Sequence, residues 1–371
     1  MQIESRRELS ELPKTVHGGQ GWKIEGTEDY SQNLNPFGPP PSLEKVLSNA
    51  VSGSGHYPDA DCIEVRAVIG KIYGLGPECV TMGAGSSEII RNFPNVFIRP
   101  GDSVLIPTPS FAEYTQQCKI AGAAIDFFPL LPEDDYRIDE ERLFNCLSSK
   151  KYRILYICNP NNPTGRIENR EKLEKIIKKC EEIGTLVFLD ETLLELVKGE
   201  QSISLSREVC RFSNLLVAHS FTKSFAIPGI RVGFALSNPK IVEEMEKVKL
   251  PWNIGTIEQA AAMHLIQNEL GYVDEAADVM SRESDRMFAQ LKEMGFPVSS
   301  ISDSFFYFMD IGSIGLTGSE FKDLMLKEGI MIRDCASFGP QYKSCVRFCV
   351  KDKERNDRFL SAVRKVLGAL R

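Results

Sequence analysis

Short apolar runs separated by amphipathic stretches organise the middle of the chain. Residues 103–106, 124–128 and 153–158 are such runs, and the last leads into the turn-rich Asn159-Pro160-Asn161-Asn162-Pro163-Thr164-Gly165. Each predicts a strand. Leu173, Ile176, Ile177 and Cys180 recur at helical spacing through residues 168–182, and Gly184 supplies a stop. Residues 185–189 then predict a strand ending at Asp190, and residues 214–218 and 232–236 predict two more. Strands interleaved with helices need crossover connections, which predicts a mostly parallel sheet covered on both faces. Ligands of such sheets collect beyond the carboxyl ends of the strands, and Asn162, Asp190 and Lys223 each follow a predicted strand end.

Beyond Trp252 the pattern changes. Helical periodicity covers residues 254–267 and 273–294, followed by a strand at 305–309, a helix at 319–327, strands at 330–333 and 345–350, and a closing helix from Lys353. This reads as a smaller α+β domain. We divide the chain into an N-terminal arm with part of the small domain (1–45), a large domain (46–252) and a small C-terminal domain (253–371). Two packed domains suit 371 residues, a length at which one core seldom suffices.

Composition removes several classes of function. A formal charge of −7 argues against a nucleic-acid partner, which would be met by a basic face. No window approaches the length of an apolar membrane span, and the charge-alternating residues 1–13 read as neither secretory signal nor anchor. The ten cysteines are scattered without a Cys-x-x-Cys pair, which reads as packed, reduced thiols in a cytoplasmic protein, with no metal site.

The chemistry concentrates around Lys223. Ser220-Phe221-Thr222-Lys223 runs into Ala226-Ile227-Pro228-Gly229-Ile230-Arg231-Val232-Gly233, with Asp190 upstream. A lysine amine condenses with an aldehyde, two hydroxyls and an arginine clamp a phosphate dianion, and a carboxylate keeps a pyridine nitrogen protonated. Pyridoxal 5'-phosphate (PLP) requires all three. Gly83-Ala84-Gly85-Ser86-Ser87-Glu88 looks like a loop opening a helix, whose backbone amides and hydroxyls would complete the phosphate cup. Taken alone, Asp190 also reads as a carboxylate capping a turn, and Tyr114 as a core aromatic.

The spacing Ser-x-Thr-Lys-x7-Arg-x-Gly resembles the lysine segment of the fold-type I PLP enzymes, the aspartate aminotransferase superfamily. The resemblance implies an α/β fold-type I transferase. It makes Lys223 the cofactor-bound lysine and proton carrier, and Asp190 the partner of the pyridinium nitrogen. Asn162 becomes a hydrogen-bond partner of the ring hydroxyl, and Tyr114 the aromatic stacked on the ring. Gly85, Ser86, Ser87, Ser220, Thr222 and Arg231 become the phosphate cup.

Asn33-Leu34-Asn35-Pro36-Phe37-Gly38 and Tyr57-Pro58-Asp59 narrow the likeness to histidinol-phosphate aminotransferase and threonine-phosphate decarboxylase of cobalamin synthesis. In that branch the tyrosine at Tyr57 reaches the cofactor phosphate of a neighbouring subunit, which implies a homodimer with shared sites. His17-Gly18-Gly19, Pro251-Trp252-Asn253, Ile332-Arg333-Asp334-Cys335-Ala336 and the non-polar Leu193 resemble the decarboxylase. The expected reaction is decarboxylation of O-phospho-L-threonine to (R)-1-amino-2-propanol O-2-phosphate. Histidinol-phosphate:2-oxoglutarate aminotransfer and O-phosphoserine decarboxylation are the alternatives. Arg333 and Arg347, assisted by His17, Asn35 and Asn162, are expected to hold a small phosphorylated amino-acid substrate.

Overall fold

A computed structural model of the chain describes residues 3–10, 12 and 21–370, so His17 lies outside the described residues. Seven strands form the main sheet: β1 (Val80–Gly83), β2 (Ser103–Thr108), β3 (Ala124–Pro129), β4 (Ile154–Cys158), β5 (Leu186–Asp190), β6 (Leu215–Ser220) and β7 (Gly233–Ser237). Their order across the sheet is β1-β7-β6-β5-β4-β2-β3. Only β7 runs against its neighbours, since it pairs antiparallel with both β1 and β6 while the remaining pairs are parallel. The central strands are continuous apolar runs because helices cover both faces. Val187, Phe188 and Leu189 of β5 are all fully buried, whereas edge strand β3 leaves Phe127 exposed.

The predicted strands and helices are present, with shifts at their ends that have local causes. The helix expected from residue 168 starts later, at Arg170–Glu182, because Asn169 caps it by accepting from the Lys172 N–H at 2.9 Å. Glu168 stays outside, where its carboxylate accepts from the Ile138 N–H at 2.6 Å and pairs with Lys172 at 2.7 Å. A buried carboxylate with two such partners is satisfied only in that extended position.

A second, three-stranded antiparallel sheet is formed by β8 (Phe306–Asp310), β9 (Arg333–Asp334) and β10 (Cys345–Cys349), in the order β9-β10-β8. The single strand expected at 330–333 divides at the buried Ile332. Ile330–Met331 pairs in parallel with Glu28–Asp29, while β9 pairs with β10. Residues 28–30 are therefore laced into this second unit, and the Cys349 N–H donates to the Tyr30 carbonyl at 3.0 Å. The helix Thr256–Asn268 packs on helices Leu43–Ala50 and Ile63–Tyr73, so it reaches back across the boundary placed at 252/253. Among the described residues no helix is long and apolar enough to cross a membrane, and no group of His, Cys, Asp or Glu has the form of a metal site.

Candidate active site

A cleft of about 1180 Å³ opens at the carboxyl ends of β4, β5 and β6, and Lys223, Asp190, Asn162, Arg231, Arg333 and Arg347 all line it. The antiparallel β7 matters here. Because it runs the other way, its start lies at the edge of the sheet where β1 and β6 end. The register pairs Gly233 with both Gly83 and Ser220. The loop after β1, the turn after β6 and the arginine before β7 are thereby brought together.

That convergence makes the phosphate cup. Gly85 has φ +73°, and a Cβ built there would lie 2.4 Å from Arg231 Nη2, so the loop passes the guanidinium at a distance only glycine allows. Arg231 Nη1 also donates to the Pro228 carbonyl at 3.0 Å and reaches Thr222 Oγ1 at 3.4 Å. Ser86 begins the helix Ser86–Phe97, and no side chain caps that end, so its first amides point at the cup with the positive end of the helix dipole. Ser220 caps the short turn Phe221–Ser224, accepting from the Thr222 N–H at 3.2 Å.

Asp190 forms the floor. The Tyr114 hydroxyl donates to Oδ2 at 2.5 Å and the Thr192 N–H donates to Oδ1 at 3.0 Å, which fixes the plane of the carboxylate. Burial, then the charge of Asp190, raises the Tyr114 hydroxyl well above its ordinary range, so it stays a donor. Tyr114, expected to stack on the ring, borders the cleft. Its ring is fully buried, packed face to face on Tyr156 at 5.0 Å, and its hydroxyl is spent on Asp190. Phe111, half-buried and edge-on to Tyr114, is a second aromatic bordering the cleft; its place three residues before Tyr114 in Pro109-Ser110-Phe111 is the signal that was available.

Lys223 sits between these groups, and its amine is pushed down to about 8, first by removal from water and then by the cations Arg347 and Arg231, against the pull of Asp190. Opposite lies Arg347 on β10, 8% exposed, donating to Asn162 Oδ1 at 2.5 Å and to the Ser31 carbonyl at 2.5 Å. Its Nε is buried without a protein partner. Arg333, the register partner of Arg347 on β9, donates to Ser337 Oγ at 2.8 Å. Two guanidinium groups side by side at the mouth of a cleft form a receptor for anions.

Two expected residues are placed elsewhere. Asn35 does not line the cleft: its amide donates to the Ser224 carbonyl at 2.9 Å, its Oδ1 accepts from the Phe37 N–H, and its backbone N–H donates to the Lys223 carbonyl. It holds the lysine turn from behind. Asn33 borders the cleft instead, 4% exposed, with Oδ1 lacking any protein partner. Tyr57 is 74% exposed and stacks on the exposed Trp252 at 4.3 Å, outside the cleft of its own chain. Leu193 borders the cleft with no polar group to offer.

The residues present fit PLP. Ser86, Ser87, Ser220, Thr222 and Arg231 line one part of the cleft with donors that could hold a phosphate, the oriented carboxylate of Asp190 lies at the floor, and Lys223 lines the same cleft.

Comparison with known proteins agrees. The model of the family "Aminotransferase class I and II" matches residues 28–363. Histidinol-phosphate aminotransferase of Ruminiclostridium cellulolyticum is 30% identical over 88% of this chain and 89% of its own length, and that of Methanococcus maripaludis is 29% identical over 90% and 88%. The structure of histidinol-phosphate aminotransferase from Clostridium acetobutylicum superposes with a TM-score of 0.84 at 31% identity, over 92% of this chain and 99% of the other. L-threonine-O-3-phosphate decarboxylase from Porphyromonas gingivalis (TM-score 0.80, 23% identity, 92% and 99% covered) shares the fold. So does a histidinol-phosphate aminotransferase from Sinorhizobium meliloti solved with pyridoxal-5'-phosphate (TM-score 0.86, 20% identity, 100% and 99% covered).

Proposed function

The chain belongs to the aminotransferase class I and II family and is a PLP-dependent enzyme of fold type I, and from that premise we propose that it transfers an amino group between histidinol phosphate and 2-oxoglutarate. Likeness along nearly the whole chain to proteins of that name carries the reading. PLP, when bound, supplies an electron sink for the bond broken at the substrate's α carbon. Everything else falls to the protein.

In this reading Gly85, Ser86, Ser87, Ser220, Thr222 and Arg231 hold the cofactor phosphate. Asp190, oriented by Tyr114 and Thr192, keeps a proton on the ring nitrogen. The lowered amine of Lys223 takes a proton from the α carbon and returns it, a duty that needs an ionisation near neutral pH. Arg347 with Asn162 receives the carboxylate of 2-oxoglutarate or glutamate, and Arg333 the second anion. The exposed Tyr57–Trp252 stack is the surface we assign to a second copy of the chain, whose cofactor phosphate Tyr57 would approach.

A second reading rests on Leu193. At this position aminotransferases usually carry a tyrosine bonding the ring hydroxyl, and the apolar side chain here borders the cleft. That favours decarboxylation of O-phospho-L-threonine, with O-phosphoserine, one methyl group smaller, only weakly discriminated. Incubating holoenzyme with histidinol phosphate and 2-oxoglutarate while assaying glutamate, and separately with O-phosphothreonine while trapping carbon dioxide, separates the two. Glutamate without carbon dioxide supports the first reading; carbon dioxide from phosphothreonine without glutamate overturns it.

A further inference from the structure

Beneath the cleft, on the opposite face of β6 from Ser220, lies a chain of buried polar side chains that the reaction described above does not use. Successive strand residues point to opposite faces, so while Ser220 turns to the cup, His219 turns into the layer below. There it stacks on Phe234 at 4.8 Å and is almost fully buried. Its Nε2 lies 2.6 Å from Ser206 Oγ, and Ser206 Oγ is 3.2 Å from Glu191 Oε2. Glu191, fully buried, also accepts from Ser204 Oγ at 2.5 Å and from the Leu205 N–H at 3.1 Å. On the other side of the ring, His219 Nδ1 lies 3.2 Å from Glu195 Oε1. The second oxygen of Glu195 accepts from the hydroxyl of Ser224, the residue after Lys223.

Hydrogen-bond accounting gives this chain a direction. A carboxylate only accepts, so the proton facing Glu195 belongs to Nδ1. Ser206 has a single hydroxyl proton and serves either Glu191 or Nε2. Glu195 therefore receives the same two donors, His219 Nδ1–H and Ser224 Oγ–H, whichever way Ser206 turns. The titratable and charged neighbours of the ring are Glu191, Glu195 and Tyr73, with Arg207 stacked beyond Tyr73.

The two ends of the chain belong to different cofactor-holding segments. Glu191 and Glu195 follow Asp190 at the end of β5, Glu195 in the turn Leu194–Leu196; His219 and Ser224 flank Ser220 and Lys223 at the end of β6. Lys223 itself stands on a single helical turn, Phe221–Ser224, which has too few internal hydrogen bonds to hold its own shape. We propose that Glu195 is a positioning residue that, together with His219, Ser206 and Glu191, ties the lysine turn to the end of β5 and so sets the placement of Lys223 relative to Asp190.

This inference rests on Lys223 being the lysine that bears the cofactor. The test uses holoenzyme and reads the visible absorbance band of the bound cofactor and its release rate on dilution. Lys223→Ala should abolish the band; persistence there would overturn the assignment of Lys223, apart from anything about Glu195. Given that control, Glu195→Ala and Ser224→Ala should each release the cofactor roughly tenfold or more faster and move the pH midpoint of the band, because a hydrogen bond to an ionised group is withdrawn from the lysine turn. Glu195→Gln, which keeps an acceptor, should restore most of the release rate. Ser224→Ala removes only the last link and decides the matter if Glu195→Ala does not fold. Release rate and midpoint unchanged in Ser224→Ala, or in a folded Glu195→Ala of reduced melting temperature, would overturn the proposal and leave the chain of side chains a stabilising part of the core.

Discussion

At the cofactor end of the cleft, Arg231 reaches Thr222 across only nine residues of sequence, and Gly85, Ser220 and Arg231 sit at the ends of three neighbouring strands. At the substrate end, Arg347 bonds Asn162 across 185 residues and the Ser31 carbonyl across 316. The first end lies within one sheet and needs a single register to close it. The second needs both sheets and the N-terminal segment in place at once. It follows that the cofactor end should tolerate rearrangement of the small sheet, and that substrate recognition should be where related enzymes of this fold diverge.

Substitutions test that contrast, starting with the largest effect. Lys223→Ala should lower turnover by about 10²–10⁴-fold, the range of a positioned proton carrier, while substrate binding measured by titration survives. Equal loss of both would break the separation between the ends. Arg347→Gln should raise KM for the carboxylate substrate roughly ten- to a hundredfold with cofactor retention unchanged, as one charge-assisted pair is lost. Gly85→Ala should do the reverse. A side chain at φ +73° pressed against Arg231 costs about 1–3 kcal/mol and should weaken cofactor binding about tenfold, seen in apoenzyme reconstitution, with KM little altered.

Asn33→Ala should raise KM a few-fold and leave the melting temperature nearly unchanged, because its Oδ1 has no protein partner to lose. The smallest effect is one of pH on the apoprotein. Lys223 titrates at 10.5 in the unfolded chain and at about 8 in the folded one. Between those values the unfolded state holds more protons, so stability rises with pH there. Lys223→Met should therefore melt a few degrees above wild type at pH 7, and the gap should close as pH rises from about 8 to 10.5. A gap independent of pH would mean that the amine is not desolvated.

The legibility of the chain divides along the same line. That Lys223, Asp190, Thr222 and Arg231 border one cleft was readable because each follows or precedes a strand whose apolar run is plain in the sequence. Tyr114 was readable as an aromatic near the site, but its hydroxyl bond to Asp190 and its packing on Tyr156 were not, since both partners lie far away in the chain. Asn33 and Asn35 are two residues apart and chemically identical. Which one faces the cleft depends on how the segment after Glu28–Asp29 leaves the second sheet. The break of the 330–333 strand at Ile332 likewise has no local signal, because it is imposed by competing partners, Glu28–Asp29 on one side and β10 on the other.

By itself the sequence determined the alternation of strands and helices and the cofactor, because these depend on local periodicity and on the chemistry of the Lys223 segment. The tertiary structure alone decided that β7 runs antiparallel and so delivers Arg231 to the glycine loop. It also decided that the Tyr114 hydroxyl is bonded to Asp190, that Asn33 rather than Asn35 faces the cleft, and that Arg347 and Arg333 stand side by side. Those outcomes are pairings between distant segments, settled by which buried polar groups find partners once the two sheets have closed on one another.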